Sequence, residues 1–338
     1  MINVGVIGLG MMGLTHLDAY AKRDDVNVVA IADKDPNRLS GKVKAVGNVV
    51  GQAQGGFDFS KAKGYEEGMD LIRSKRVDVV DICLPTHMHL DYAKSAIRKG
   101  KHVLIEKPLS RTSKDAMKLA KLAEKSKGVS MCAMCMRFWP GWSWLKEAVS
   151  DKRYGKVLAA QFRRVASHPG GAFYANGELS GGAILDLHIH DTDFIHFLFG
   201  PPKAVSSRGY SKVTTAVDHV VTNYIYDDIP LVVAEGSWAM ADKFPFSMAY
   251  TINFEQATAV YTMGSDRPLT LYRPGQAPEK VELDSRMGYD LEIEYFINCI
   301  KSGTKPETVT LLDAANTIKI IEAEEKSVLN GRPVNVKV

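Results

Sequence analysis

A glycine-rich run near the start of the chain constrains the fold most strongly. The run Gly8-Leu9-Gly10-Met11-Met12-Gly13 follows an apolar, β-rich segment at residues 2–7 and leads into a helical pattern at residues 15–22. A second apolar segment at residues 26–32 ends in Asp33, twenty positions after Gly13. A strand, a glycine turn, a helix, a second strand and a terminal acid in this order predict a dinucleotide-binding βαβ unit.

Each glycine of the run has a physical task in such a unit. Gly8 allows the tight turn, Gly10 lets the backbone approach a pyrophosphate, and Gly13 lets the helix pack closely. The phosphates would accept hydrogen bonds from N–H groups at the start of the helix, where Met11 and Met12 lie.

Asp33 favours NAD as the cofactor. Its carboxylate would accept hydrogen bonds from the adenosine ribose hydroxyls and would repel a 2′-phosphate. Lys34 and Arg38 lie close enough in the sequence to weaken that preference, so NADP stays open as the alternative.

Strand and helix patterns alternate over the first part of the chain. Apolar strand patterns at residues 77–83 and 101–105 are followed by amphipathic helical patterns at residues 89–99 and 113–125. This alternation predicts an α/β fold, with a doubly wound parallel sheet in a Rossmann domain at residues 1–125. The glycine-rich, poorly periodic stretch at residues 41–64 predicts a surface excursion.

The pattern changes in the predicted second domain, residues 126–338. Residues 247–254 alternate between apolar and more polar side chains, which is typical of an antiparallel strand with one buried face. Helical patterns at residues 290–302 and 312–329 accompany such strands. We therefore predict an α+β substrate-binding domain with a large, mostly antiparallel open sheet. The outer face of that sheet is expected to join a homodimer or homotetramer.

Ligands of an open parallel sheet bind beyond the carboxyl ends of its strands. Two further segments leave predicted strands at this edge, residues 83–87 and Glu106-Lys107-Pro108. Lys107 would reach a substrate hydroxyl beside the nicotinamide, and Glu106 would orient the nicotinamide or pair with a cation. The alternative is an exposed Glu-Lys pair in a loop. The predicted cofactor contacts are Gly8, Gly10, Met11, Met12, Gly13, Asp33, Leu84, Pro85, Thr86, His89, Glu106 and Lys107.

Acids and histidines cluster between residues 186 and 193. If this run is helical, Asp186, His190 and Asp193 share a face. A carboxylate beside an imidazole fixes its tautomer and favours its protonated form, which makes a proton carrier. The alternative is a solvated histidine on a helix surface. A metal site is not predicted, because His188 and His190 are two positions apart and diverge on a helix, although His196 is near.

Composition and charge exclude several classes of protein. The chain has 338 residues, a net charge of +4 and no basic tract, so we expect no nucleic-acid partner. The sequence shows no signal-peptide pattern and no apolar span long enough for a bilayer, so we expect a cytoplasmic protein without a membrane partner. Its four cysteines, including Cys132 and Cys135 at C-x-x-C spacing, are interpreted as buried thiols.

In order and spacing, these motifs resemble the glucose–fructose oxidoreductase, inositol dehydrogenase and rhizopine catabolism (Gfo/Idh/MocA) family over nearly the whole chain. The run His190-Asp191-Thr192-Asp193 is similar to the inositol dehydrogenase branch. The resemblance implies an NAD(P)-dependent oxidoreductase that moves a hydride between nicotinamide and a secondary alcohol of a sugar, cyclitol or sugar derivative. It implies Lys107, Asp186 and His190 as the catalytic set. The implied substrate contacts are Lys107, Arg137, His168, Asp186, His190 and Asp193.

Two other functions fit a chain of this family. One is an NAD-dependent glycosidase that acts by transient oxidation of its substrate. The other is a non-catalytic regulator that senses the cofactor. The combination of Lys107, Asp186 and His190 disfavours the regulator, because a sensor has no need of groups that carry protons.

Overall fold

The computed structural model describes residues 1–42 and 56–338, and the chain divides into two compact units. Unit 1 comprises Met1–Cys135 and Met287–Ala315, and unit 2 comprises Met136–Arg286 and Asn316–Val338. Unit 1 therefore extends beyond the predicted boundary at residue 125 and also takes in a helical segment from far along the chain.

The helices and strands of the described residues follow the predicted succession of patterns. The helices are α1 Met11–Ala21, α2 Pro36–Leu39, α3 Gly68–Arg73, α4 His89–Arg98, α5 Ser113–Glu124, α6 Pro140–Ser150, α7 Ala172–Ala175, α8 Gly177–Ser180, α9 Gly182–Asp186, α10 Ile189–Phe199, α11 Gly288–Ser302 and α12 Leu311–Asn330. The strands are β1 Ile2–Ile7, β2 Val26–Ala32, β3 Lys63–Tyr65, β4 Val79–Ile82, β5 His102–Glu106, β6 Ser130–Ala133, β7 Val157–Val165, β8 Ala204–Tyr210, β9 His219–Ile225, β10 Leu231–Ser237, β11 Ser247–Phe254, β12 Thr258–Thr262, β13 Leu269–Tyr272, β14 Glu279–Lys280 and β15 Val334–Asn335.

Unit 1 contains a six-stranded sheet in which every strand pair is parallel. Its strand order is β3-β2-β1-β4-β5-β6. The central strands are apolar and buried because helices cover both faces of such a sheet. The strand order reverses between β1 and β4, which creates the crevice where ligands of this fold bind. The predicted doubly wound parallel sheet is confirmed.

Two features explain why unit 1 differs from the predicted domain. Strand β6 pairs with β5 as a sixth parallel strand, so the sheet continues past residue 125. Helix α11 packs against α1, and Lys22 Nζ lies 2.7 Å from Asp290 Oδ1 across that contact. Local sequence patterns cannot predict that residues 288–302 return to unit 1, because this depends on contacts between distant segments.

Unit 2 contains a nine-stranded mixed sheet. Its order is β14-β13-β12-β11-β7-β10-β9-β8-β15, and every neighbouring pair except β7 with β10 is antiparallel. One face of β11 is buried, with Met248, Tyr250, Ile252 and Phe254, whereas the intervening side chains are half-buried or exposed. The predicted α+β domain with an open sheet is confirmed.

Two further expectations concern surface and membrane segments. Residues 43–55 of the predicted surface excursion lie outside the described residues, and the rest of that stretch includes the start of β3. In the part of the chain that the structure describes, no helix has the length and apolar character needed to span a bilayer.

Candidate active site

The glycine loop joins β1 to α1 in unit 1. Gly8 has a φ of +91°, and a Cβ placed there would lie 2.5 Å from the carbonyl oxygen of Cys83. A Cβ on Gly13 would lie 1.9 Å from the carbonyl oxygen of Gly8, so a side chain at either position would force the loop apart. A Cβ on Gly10 would have no neighbour within 4 Å. The loop is therefore closed towards the protein and open at Gly10, and this shape fits a dinucleotide pyrophosphate at the start of α1.

Asp33 follows β2 and stabilises the glycine loop. Its Oδ2 accepts a hydrogen bond of 2.8 Å from the backbone N–H of Leu9, and its Oδ1 accepts one of 2.9 Å from the N–H of Asp35. Arg38 Nη1 lies 3.6 Å from Asp33 Oδ2. The acid thus stands beside the loop, with one cation next to it.

The segments after β4 and β5 are joined by His89, the first residue of α4. Its Nε2 lies 2.6 Å from the carbonyl oxygen of Leu84, and its Nδ1 lies 2.8 Å from that of Pro108. Burial lowers the pKa of this imidazole, although both carbonyl contacts act in the opposite direction. His89 therefore links the Leu84–Thr86 segment to the segment that carries Lys107.

Lys107 lies at the carboxyl end of β5, as the sequence predicts. Its side chain is partly exposed, and its backbone N–H donates a hydrogen bond of 2.9 Å to Oε2 of Glu106. The Glu106 side chain is buried, and its Oε1 lies 3.2 Å from Nε2 of His16 on α1. The carboxylate of Glu106 thus faces an imidazole ring, and its two expected roles stay predictions.

The acid and histidine cluster of unit 2 spans two short helices instead of one. Helix α9 ends at Asp186 and α10 begins at Ile189, with Leu187 and His188 between them in right-handed helical conformation. Asp186 and His190 are partly exposed residues. Asp193 is buried, so it does not share the accessible surface of the other two.

Asp193 is bound by Arg137 in a buried, two-pronged ion pair. Arg137 Nε donates to Oδ2 over 2.8 Å, and its Nη2 donates to Oδ1 over 2.7 Å. The hydroxyl of Thr317 also donates to Oδ1, and the guanidinium lies over the ring of Phe197. The two predicted substrate contacts Arg137 and Asp193 thus bind each other, away from solvent.

Two more buried contacts fix α10 and its preceding turn. Arg164 on β7 donates from Nε and Nη2 to the two carboxylate oxygens of Asp191, over 2.9 and 3.1 Å. His188 Nε2 lies 3.2 Å from Oε2 of Glu324 on α12. Of the polar side chains in this run, Asp186 and His190 are the ones that keep part of their surface accessible.

His168 lies in an aromatic cluster of unit 2. Its ring meets that of Trp238 edge-on at 5.2 Å, and Tyr174 contacts the same indole at 5.9 Å. Trp238 donates from Nε1 to Asp218, which also accepts hydrogen bonds from Thr214. Burial alone would raise the pKa of Asp218, but the hydrogen bonds outweigh it and leave the pKa lowered.

The cysteines and the clustered histidines, His188 and His190, have different surroundings in the structure. The cysteines at positions 83, 132, 135 and 299 are thiols outside any disulfide. Cys132, Cys135 and Cys299 are buried, as expected from the sequence, whereas Cys83 is partly exposed because it follows the buried strand β4 at its end. His188 faces Glu324 and Tyr224 instead of His190.

Several site residues were not identified from the sequence. His16, Asp81, Arg164 and Glu324 all hold buried charges in place. Asp81 could have been identified from the sequence, because a carboxylate inside the buried strand Val79–Ile82 requires a partner. Arg164 could have been identified in the same way, because it follows Ala160 and Phe162 on the buried side of β7.

The fold and the glycine loop define the class of NAD(P)-dependent oxidoreductases with a Rossmann domain. Comparison with known families agrees with this class. Residues 2–134 match the oxidoreductase family with NAD-binding Rossmann fold named GFO_IDH_MocA, and residues 142–260 match the GFO/IDH/MocA C-terminal domain. The chain belongs to the GFO/IDH/MocA oxidoreductase family, which confirms the resemblance seen in the sequence.

Among the relatives, the chain is 30% identical over 201 residues to the myo-inositol 2-dehydrogenase of Thermotoga maritima, which covers 59% of this chain and 55% of that enzyme. It is 23% identical over 353 residues to the scyllo-inositol 2-dehydrogenase (NAD(+)) of Bacillus subtilis, covering 100% of this chain and 97% of that enzyme. Levoglucosan dehydrogenase in complex with NADH and levoglucosan has a similar fold, with a TM-score of 0.86, 19% identity and 99% coverage of both chains.

Proposed function

We propose that the protein is an NAD(P)-dependent dehydrogenase that oxidises a secondary alcohol of a sugar, cyclitol or sugar derivative. The single observation that carries this proposal is the selective exposure of Asp186 and His190. The neighbouring His188, Asp191 and Asp193 are buried and paired, whereas these two side chains keep accessible surface. An acid at the end of α9 and an imidazole at the start of α10, the helix held by the two arginine pairs, suit proton transfer. The relatives named inositol 2-dehydrogenases support the substrate class.

Lys107, Asp186 and His190 form the proposed catalytic set. His190 takes the proton of the substrate hydroxyl as the carbonyl forms, and Asp186 stabilises the resulting imidazolium. Lys107 stabilises the negative charge that develops on the substrate oxygen. When bound, the nicotinamide cofactor supplies the acceptor for the hydride that leaves the carbon. We place His168 beside the substrate as a hydrogen-bonding and packing contact, and we assign Arg137 and Asp193 to holding α10.

The glycine loop, the Leu84–Thr86 segment and Asp33 would hold the cofactor. Gly10 leaves room for the pyrophosphate, and the N–H groups of Met11 and Met12 would donate to it. The carboxylate of Asp33 disfavours a 2′-phosphate, although Arg38 stands beside it. We therefore infer NAD as the preferred cofactor. Steady-state kinetics with each cofactor test this, and a higher kcat/KM with NADP would refute it.

The main experiment measures NADH formation over a panel of polyols, hexoses and aryl glycosides. We expect at least one polyol or sugar to be oxidised with stoichiometric NADH. Lys107→Met and His190→Ala should each lower kcat by about 100-fold or more while NAD affinity stays unchanged. Lys99→Met is the matched control, because Lys99 is an exposed lysine at the end of α4, and it should keep full activity.

Other results would identify the competing functions. Cleavage of aryl glycosides without net NADH would show the glycosidase. Cofactor binding without any turnover across the panel would favour the regulator. Full turnover in both Lys107→Met and His190→Ala would refute the catalytic set. The cytoplasmic location stays a prediction.

We also propose that the open face of the nine-stranded sheet joins a second copy of the chain in a homodimer or homotetramer. This face carries exposed apolar side chains on β9 and β10, namely Val221, Ile225 and Leu231. Apolar side chains on neighbouring strands favour a partner of the same composition. A single monomeric mass in sedimentation experiments at micromolar concentration would refute the association.

A further inference from the structure

A buried histidine lies between two carboxylates at the carboxyl ends of β4 and β5. His16 belongs to α1, and its Nδ1 lies 2.8 Å from Oδ2 of Asp81. Its Nε2 lies 3.2 Å from Oε1 of Glu106, as an ion-pair contact. The side chains of His16 and Asp81 are fully buried, and that of Glu106 is nearly so. The ring therefore has an acid on each side and no solvent.

The groups around this histidine determine its charge. Tyr20 on α1 donates to Oδ2 of Asp81 over 3.0 Å, and the thiol of Cys83 donates to Oδ1 over 3.4 Å. Two residues of α11 lie nearby: the partly exposed Tyr289 interacts electrostatically with Glu106 and His16, and also with the buried Glu292. Burial raises the pKa of the Cys83 thiol, so it is neutral near pH 7.

Among the neighbouring groups, Asp81 raises the pKa of His16 most. Burial alone would lower the pKa of His16, but the charge of Asp81, the neighbouring Cys83 and the hydrogen bonds with both outweigh it and leave the pKa raised well above its ordinary value. An imidazolium matches a ring whose Nδ1 bonds to Asp81 and whose Nε2 lies within ion-pair distance, although not in hydrogen-bond geometry, of Glu106.

The same contacts connect the helix of the glycine loop to Lys107. Glu106 accepts the backbone N–H of Lys107 through Oε2 while its Oε1 faces His16. Glu106 thus connects His16 of α1 to the backbone of Lys107. A shift of about 1 Å in a catalytic group can lower the rate by about 100-fold. A contact that fixes the position of Lys107 is therefore expected to affect turnover.

We propose that His16, as an imidazolium between Asp81 and Glu106, is a positioning residue that holds the Lys107 backbone in register with the cofactor-binding helix. This inference rests on the proposed function, since it needs Lys107 to act in the reaction. His16 itself contacts neither Lys107 nor the glycine loop through any hydrogen bond described above. It acts through Glu106.

Two variants test the proposal. His16→Phe keeps an aromatic ring but removes the charge, and it should lower kcat by about 10- to 100-fold with NAD affinity within about threefold of the parent. Asp81→Asn keeps the size of the side chain and removes one anion, so it remains informative if His16→Phe does not fold. Tyr20→Phe is the matched control, because it removes another hydrogen bond to Asp81 and leaves the imidazolium between its acids.

The pH dependence of kcat distinguishes positioning by charge from simple support of the fold. Without the Asp81 anion, burial dominates and the pKa of His16 falls, so the ring loses its proton at a lower pH. The alkaline decline of kcat in Asp81→Asn should therefore move to lower pH, while the activity at acidic pH approaches that of the parent. Tyr20→Phe should keep the profile of the parent.

Three results would overturn the proposal. The first is a kcat profile in Asp81→Asn that is superimposable on the parent or reduced equally at every pH. The second is full kcat in a folded His16→Phe. The third is a stoichiometric divalent metal in the purified protein that His16→Phe removes, because a ring nitrogen bound to metal carries no proton. If Lys107→Met is also fully active, the proposed role of Lys107 fails instead, and if no polyol or sugar yields NADH the proposed function fails, so the failures are separated.

Discussion

Two buried carboxylates in each unit can be compared, because they face different kinds of side chain. In unit 1, Asp81 and Glu106 face the single ring of His16. In unit 2, Asp191 and Asp193 are each gripped at both oxygens by a guanidinium, from Arg164 and from Arg137 respectively.

This difference determines how each unit responds to its surroundings. A guanidinium stays charged at any pH a protein tolerates and matches both oxygens of a carboxylate. An imidazole can lose its proton, and then both of its acids lose their partner. We conclude that the two buried arginine–aspartate pairs of unit 2 serve rigidity, whereas the His16 cluster of unit 1 is adjustable. The proposed proton carrier His190 stands on the rigid scaffold, and Lys107 stands on the adjustable one.

The largest effect is expected from breaking an arginine pair of unit 2. Arg164→Met leaves Asp191 as a buried, unpaired charge and should lower the free energy of unfolding by about 3–5 kcal/mol. Urea denaturation measures the loss. The double variant Arg164→Met/Asp191→Leu removes both charges and should recover most of it. Exposed ion pairs contribute less than about 1 kcal/mol. A loss of that size in the single variant would show that the Arg164–Asp191 pair is not shielded from water.

A smaller, pH-dependent effect is expected for His16. Its pKa is raised in the folded state, so the ring contributes stability that is complete below its ordinary pKa and is lost as the pH rises through the folded value. The difference in unfolding free energy between the parent and His16→Gln should therefore be largest near pH 6 and shrink as the pH becomes alkaline. The loss caused by Arg164→Met should stay constant over the same range. A difference for His16→Gln that grows with pH would contradict the assigned charge.

The smallest effect is expected from an exposed ion pair. Lys203 and Asp227 lie 2.6 Å apart, but their side chains are 66% and 73% exposed. Lys203→Ala should cost less than about 1 kcal/mol, and the cost should vanish in about 1 M salt because water and ions screen the charges. A larger, salt-independent cost would mean that distance, and not burial, governs the strength of these pairs.

Much of the fold could be predicted because it follows from local sequence patterns. The alternation of apolar strands and amphipathic helices predicts a parallel sheet, and the period of two at residues 247–254 predicts a one-sided antiparallel strand. The return of α11 to unit 1 could not be predicted, since it depends on packing against α1, whose residue Lys22 is 268 positions from its partner Asp290.

The site was predictable to a lesser extent. The glycine loop, Asp33 and Lys107 are recognisable from spacing alone, because each follows directly from its strand. The partners of the buried charges are not: Arg137 meets Asp193 across 56 positions, and His16 meets Asp81 across 65. Helical spacing grouped Asp193 with Asp186 and His190, but that spacing carries no information about a guanidinium from another part of the chain.

Asp218 offers an opportunity for protein engineering. Its carboxylate accepts the backbone N–H groups of Lys212, Val213 and Thr214 and also the indole N–H of Trp238. Every amino acid except proline supplies the same backbone donor, so the identities of residues 212 and 213 are left largely unconstrained by these bonds. A library randomised at these two positions should keep the path of the loop and the orientation of the indole, and it could vary the surface beside them at little expense in folding.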